Sequence, residues 1–143
     1  VAQNPSAAQK DTLVQAPLTA AGTDPASSYV DMQNFDTVVF RGILGTVVST
    51  GKITLAAWGS SSTGSTGTAI SGATITTTAG KSDAELKIEV SRPRDRYVKT
   101  HLTRSTSSAE YGGTIASQGL GRKEPVTDAT NVLTRVLKVP QTT

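Results

Sequence analysis

The stretch "AELKIEVSRPRDRYVKTHLTRS" (84–105) decides how this chain folds. Its first seven residues alternate strictly, with Leu86, Ile88 and Val90 on one side of an extended backbone and Glu85, Lys87 and Glu89 on the other. That is the period-2 pattern of a strand with one buried face. Continued unbroken, the same parity would carry Arg92, Arg94 and Arg96 into the core. Burying unpaired guanidinium groups costs several kcal/mol each, so the chain must change direction. Pro93 supplies the means: in Arg92-Pro93-Arg94-Asp95 it stands at the second position of a β-turn, where its fixed φ is favourable. The run "RYVKTHLTRS" (96–105) then resumes the alternation, with Val98 and Leu102 on one face and Tyr97, Lys99, His101 and Thr103 on the other. The two runs are expected to meet in a hairpin or a sheet-to-sheet corner, with the arginines exposed at its tip.

The pattern extends in both directions. Upstream lie "YVDMQN" (29–34), the nearly continuous apolar run "TVVFRGILGTVV" (37–48), "KITLAAWGS" (52–60) and the Thr-rich "TAISGATITTT" (68–78). The second of these suits a strand covered on both faces or bent at Gly42. Downstream are "YGGTIASQGLG" (111–121) and "TNVLTRVLKV" (130–139). The last has a helical period too, but Val132, Val136 and Val139 with the interleaved Thr residues favour a strand. The Gly/Ser stretch "SSSTGSTG" (60–67) reads as a flexible loop. About eight strands at this spacing predict an all-β sandwich or barrel of antiparallel strands.

Composition agrees. Among 143 residues there are 23 Thr and 15 Ser, and aromatics make up only 4%, so β-compatible residues outweigh strong helix formers. The length suits a single core. Residues 29–143 are expected to form one β domain, preceded by an extended N-terminal arm over 1–28. Pro5, Pro17 and Pro25 break any helix in that arm, and Leu13, Val14 and Leu18 are its only sizeable apolar groups. So little apolar surface does not offset the entropy of ordering the segment alone, so a neighbour is expected to order it.

Several function classes are disfavoured. The absence of cysteine excludes thiolate chemistry, disulfides and Cys-based zinc sites. His101 has no second His to join it in a metal site and reads as a surface histidine rather than a general base. Asp83, Glu85 and Glu89 sit on a solvated face and do not form a glycosidase pair. The Gly-rich loop lacks GxxxxGK[ST] and leads into no helix, so it does not cradle phosphate. Trp58 reads as core filler rather than a ligand platform. No catalytic, metal or cofactor site is expected. No apolar run is long enough to span a bilayer, and the start lacks the features of a signal peptide. The expectation is therefore a soluble protein made in a cytoplasm, its first Val following a removed initiator Met, with no membrane partner. A net charge of +3 falls short of a dedicated nucleic-acid binder, so no nucleic-acid partner is expected either.

What remains is the basic cluster. Five of the fourteen basic residues, Arg92, Arg94, Arg96, Lys99 and Arg104, lie within thirteen positions. Such a cluster can simply protect a strand edge from aggregation. Three arginines in five residues favour interface use, because the guanidinium fork matches carboxylates and phosphates and is enriched at protein contacts. With Leu13, Val14 and Leu18 of the arm, these five are the candidate partner-binding residues.

The segments "MQNFDTVVFRGILGTV" (32–47), "IEVSRPRDRYVKTHLTRST" (88–106) and "GLGRKEPV" (119–126) together resemble the capsid cement, or decoration, proteins of tailed bacteriophages. The match is clearest at Arg92, Pro93, Arg96, Tyr97 and Val98. The Ser/Thr/Gly-rich 60–67 loop and the lack of an acidic C-terminal tail depart from the pattern. The resemblance implies a jelly-roll-like domain on the outer surface of a virion capsid, made in the bacterial host cytoplasm. It implies the major capsid protein as partner, and self-association as a homodimer or homotrimer. A carbohydrate- or host-surface-binding β module is the alternative.

Overall fold

Eight strands carry the alternation just described, and they are assigned in a computed structural model that describes residues 9–19, 27–105 and 109–119. In chain order they are β1 (Lys10–Gln15), β2 (Val30–Asp31), β3 (Thr37–Leu44), β4 (Ile53–Ser60), β5 (Thr68–Thr76), β6 (Glu85–Ser91), β7 (Tyr97–Arg104) and β8 (Tyr111–Gly119). They form two four-stranded antiparallel sheets, ordered β1-β8-β3-β6 and β2-β7-β4-β5. No helix occurs among the described residues.

The order has a simple logic. β1 pairs with β8, β2 with β7, β3 with β6 and β4 with β5, so the four ladders nest about the turn between β4 and β5. The chain is one long hairpin, rolled so that successive ladders fall alternately in the two sheets. Two further ladders, β3 with β8 and β4 with β7, complete the sheets. This is the double-sheet jelly roll of two Greek keys. The sequence expectation of an all-β, jelly-roll-like sandwich holds.

The core lies between the sheets. Val38 and Phe40 of β3, Ile53, Leu55 and Ala57 of β4, and Val98 of β7 are fully buried, joined by Leu86, Ile88 and Val90 from β6. Each large apolar side chain so buried contributes about 1.5–3 kcal/mol. β3 is covered on one face only, since Arg41 and Ile43 point to solvent between buried neighbours. Near the end of the β3–β8 ladder, Gly42 faces Thr114 while Leu44 faces Tyr111, so β8 bulges at Gly112–Gly113, with Gly113 at φ 103°. The Tyr111 ring then passes beneath β3, and a Cβ at residue 42 would collide with its hydroxyl. Its hydroxyl hydrogen-bonds the Thr114 hydroxyl, which in turn donates to Gln15 Oε1 at 3.4 Å, so a buried polar chain links β8 to β1.

Seven of the eight described strands fall on runs expected from the sequence, and β1 adds a strand from the N-terminal side. The expected strand at 130–139, and all of the segment 119–126 except Gly119, lie outside the described residues. β1 falls within the expected arm, yet it is an edge strand of the chain's own sheet. Val14 is 2% exposed and packs in the core, and Leu18 forms a bridge with Tyr111. The ladder with β8 supplies backbone hydrogen bonds that apolar content alone did not reveal, so few apolar groups suffice to hold the strand. Trp58 also departs from expectation. Ile53, Leu55 and Ala57 take the inward parity of β4, which leaves Trp58 half-buried on the outer face, its ring stacked on His101 with centroids 4.6 Å apart.

Candidate functional site

Residues 92–96 join β6 in one sheet to β7 in the other, so the reversal is a sheet-to-sheet corner and not a hairpin. Arg92 adopts the left-handed region at φ 50° and Pro93 follows it. The corner is made of bends and lacks the hydrogen-bonded β-turn expected at Pro93. Its backbone groups bond to the β2–β3 loop: Arg92 N donates to Asp36 O at 2.7 Å, and Met32 N donates to Arg96 O at 2.7 Å. Asp95 packs over Gly59, where a Cβ would meet its carboxylate at 2.7 Å.

These two segments enclose an open cleft of about 570 Å³. Met32, Phe35 and Pro93 give it apolar wall, while Arg92, Arg94 and Arg96 stand around it with Asp36 and Asp95. Arg92 and Arg94 are exposed, and the Arg94 side chain is 94% accessible, with Asp95 4.0 Å from its Nε. Arg96 differs. Its Nε and a terminal nitrogen donate to the two oxygens of Asp31 at 2.9 and 2.8 Å, a bidentate pair that ties β2 to the corner. The Arg96 guanidinium, with further help from the Gln33 backbone N–H, holds the Asp31 carboxyl below its ordinary range against a smaller opposing effect of burial.

The remaining candidates are scattered. Lys99 lies on the outer face of the β2-β7-β4-β5 sheet, its ammonium 4.7 Å from the centre of the Tyr29 ring. Arg104 is at the opposite end of the sandwich, where it donates to Ala109 O at 2.8 Å and Thr19 O at 3.3 Å and so closes a loop. Leu13 is 36% exposed on the outer face of the β1-β8-β3-β6 sheet, opposite Ile115 at 41%. Val14 and Leu18 belong to the interior of the chain's own domain. The eight candidates therefore do not form one surface: Arg92, Arg94 and Arg96 share the cleft, Leu13 and Lys99 lie on outer faces of different sheets, and Val14, Leu18 and Arg104 serve the fold.

Sequence reasoning missed an aromatic cluster. Tyr29 and Tyr97 meet edge to face at 6.4 Å, the Arg96 guanidinium lies 5.1 Å from the Tyr97 centroid, and Trp58 and His101 stack on the same outer face. The Tyr29 hydroxyl also donates to Ser65 O at 2.7 Å, so the loop expected to be loose is anchored to this sheet. The signal was present in "YVDMQN", whose alternation places Tyr29 and Asp31 together on the side opposite Val30 and Met32. Among the described residues, no group of His, Cys, Asp and Glu is placed to hold a metal ion.

No protein-family model matches the chain, and no curated protein matches it significantly. Among solved structures, a chain of the disulfide-linked pili that form Bacillus endospore appendages is similar at 18% identity and a TM-score of 0.39. That likeness spans 79% of this chain and 88% of the pilus chain, too distant to carry an argument about function.

Proposed function

We propose that this chain is a structural virion protein that binds the outer surface of a tailed-phage capsid and clamps neighbouring capsomers together. The reading starts from the resemblance at 32–47, 88–106 and 119–126, and the observation that carries it is the corner cleft. Arg92 and Arg94 present guanidinium forks beside an apolar wall, while the adjacent Arg96 is engaged by Asp31. Such forks suit carboxylates on the major capsid protein. Leu13, Ile43 and Ile115, exposed on the outer face of the β1-β8-β3-β6 sheet, offer apolar contact for a second copy or a shell subunit. Contacts of modest strength become durable in a homodimer or homotrimer that spans two capsomers, because the second forms at high effective concentration. Neither catalysis, nor nucleic acid, nor a membrane enters this reading.

The test is co-sedimentation with expanded empty shells. Wild-type protein should bind saturably, and Arg92→Glu with Arg94→Glu should weaken binding at least about tenfold, equivalent to about 1.4 kcal/mol. Wild-type affinity in the double variant would refute the assignment of the cleft.

A host-surface module that binds glycans is the second reading, favoured by Trp58, Tyr29 and Tyr97 on one sheet face. It requires specific glycan-array binding that disappears in Trp58→Ala. Binding that survives this change would remove Trp58 from the reading.

A further inference from the structure

The two sheets differ in chemistry. Strands of the β1-β8-β3-β6 sheet carry Asp11, Glu85 and Glu89 together with Lys10, Arg41 and Lys87, a mixture of both signs. Among the described residues, the strands of the β2-β7-β4-β5 sheet hold one carboxylate, Asp31, and Arg96 already engages it in the bidentate pair. What this second sheet turns outward is mostly hydroxyl and ring.

The register sets these groups in rows across the strands. In one row Thr76, Thr54 and Thr103 stand side by side, the first two with their hydroxyl oxygens 3.1 Å apart. Further along, Ala69, Trp58 and Lys99 share a row, and continuing the β2–β7 register by one residue puts Tyr29 opposite Lys99. This second row therefore reads methyl, indole, ammonium, phenol. Trp58 and Tyr29 stand two strand spacings apart, about 10 Å, with Lys99 between them. The ammonium rests 4.7 Å from the centre of the Tyr29 ring. On the β7 side His101 stacks on the Trp58 indole with centroids 4.6 Å apart. On the β5 side the residue paired with Trp58 is Ala69, itself exposed and too short to cover an indole. Beside it on β5, a Cβ at Gly72 would meet nothing within 4 Å.

Resting on the glycan-binding reading above, we infer that the row of Trp58, Lys99 and Tyr29 is the binding site for an acidic oligosaccharide laid across the strands. The C–H face of a sugar ring is apolar and slightly positive, so it stacks on the negative face of an aromatic ring. The indole and the phenol take two such faces, and the ammonium between them takes a carboxylate of the sugar in a charge-assisted hydrogen bond. The threonine row, with Thr76 and Thr103 exposed, offers donors and acceptors to the sugar hydroxyls. With Asp31 neutralised by Arg96, an acidic sugar meets little repulsion on this sheet. One lysine among neutral groups favours this ligand over single-stranded nucleic acid, whose phosphates call for a cationic track along the whole backbone.

Trp58 is the only tryptophan in the chain, so its fluorescence reports on this row directly. Titration with tetragalacturonate should change that fluorescence saturably. Its methyl ester, which is neutral, should bind at least about tenfold more weakly, as expected for the loss of a charge-assisted hydrogen bond. Lys99→Gln should abolish the preference and leave the ester bound as before, whereas Tyr29→Ala should weaken both sugars. No saturable change with tetragalacturonate, an intact preference in Lys99→Gln, or tighter binding of oligothymidylate would each overturn the assignment. Glycan-array binding that leaves the Trp58 fluorescence unmoved would overturn it while the glycan-binding reading stands, and an array without any binding would remove both.

Discussion

Replacing Val14 with alanine asks whether β1 belongs to its own domain or waits for a neighbour. Val14 is 2% exposed within the core cluster, whereas Leu13 beside it is 36% exposed. Val14→Ala removes two methyl groups from the interior, about 1.6 kcal/mol at ~0.8 kcal/mol per buried carbon. The cavity left behind brings the expected cost to about 2–2.5 kcal/mol. With a urea m-value of about 2 kcal/mol/M, the unfolding midpoint should fall by about 1 M with m unchanged. Leu13→Ala in the same assay should move the midpoint by about a quarter of that or less, as surface changes do. Both variants are measured on purified protein at a concentration where the oligomeric state is known. A Val14→Ala midpoint within about 0.2 M of wild type would refute the reasoning, because it would mean that the segment contributes nothing to the isolated domain.

Gly42→Ala should destabilise by about 1–3 kcal/mol, since its Cβ collides with the Tyr111 hydroxyl; combined with Tyr111→Phe, chemical denaturation should show a total cost below the sum of the two single changes. Tyr111 is pushed up to about 12, chiefly by burial, with its hydrogen bond to Thr114 acting in the opposite direction. The unfolded chain therefore loses that proton first, stability should decline as pH rises from about 10 to 12, and Tyr111→Phe should flatten that decline. Asp31 has the opposite sense. Its carboxyl is held below 3.8 in the folded state, so the pair with Arg96 stabilises the fold above that pH and is lost as pH falls through the lowered value. Asp31→Asn should thus cost stability at neutral pH and reduce the slope of the acid limb in a pH series of thermal melts.

Much of the fold was legible because its signals are local. The strict alternation at 84–90 and 97–103 placed Leu86, Ile88, Val90, Val98 and Leu102 inward, and the structure buries all five. The impossibility of burying three arginines required a reversal at residues 92–96, and a corner stands there. What escaped depends on partners distant in sequence. β1 has few apolar residues and holds its place by a ladder with a strand about one hundred residues later. Trp58 fits the core by size, but the register of β4 puts three smaller residues inward instead. The arginines looked alike in sequence, yet one is claimed by Asp31, 65 positions away, and so differs in kind from its two neighbours. Arg104 was separated from them by the length of a strand, which carried it to the far end of the sandwich.

The nesting of the ladders also bears on how the protein is made. The innermost ladder, β4 with β5, is complete once residue 76 has been synthesised, but the outermost requires residues 10 and 118 together. A chain still emerging from the ribosome at β6 holds β3 with one side bare, because β8, its partner on that side, does not yet exist. Non-local pairing of this kind is slow, and bare edges invite aggregation. A circular permutant that begins at the 61–67 loop would bring β8 and β1 close in sequence, and its refolding rate would report how far the order of synthesis governs assembly.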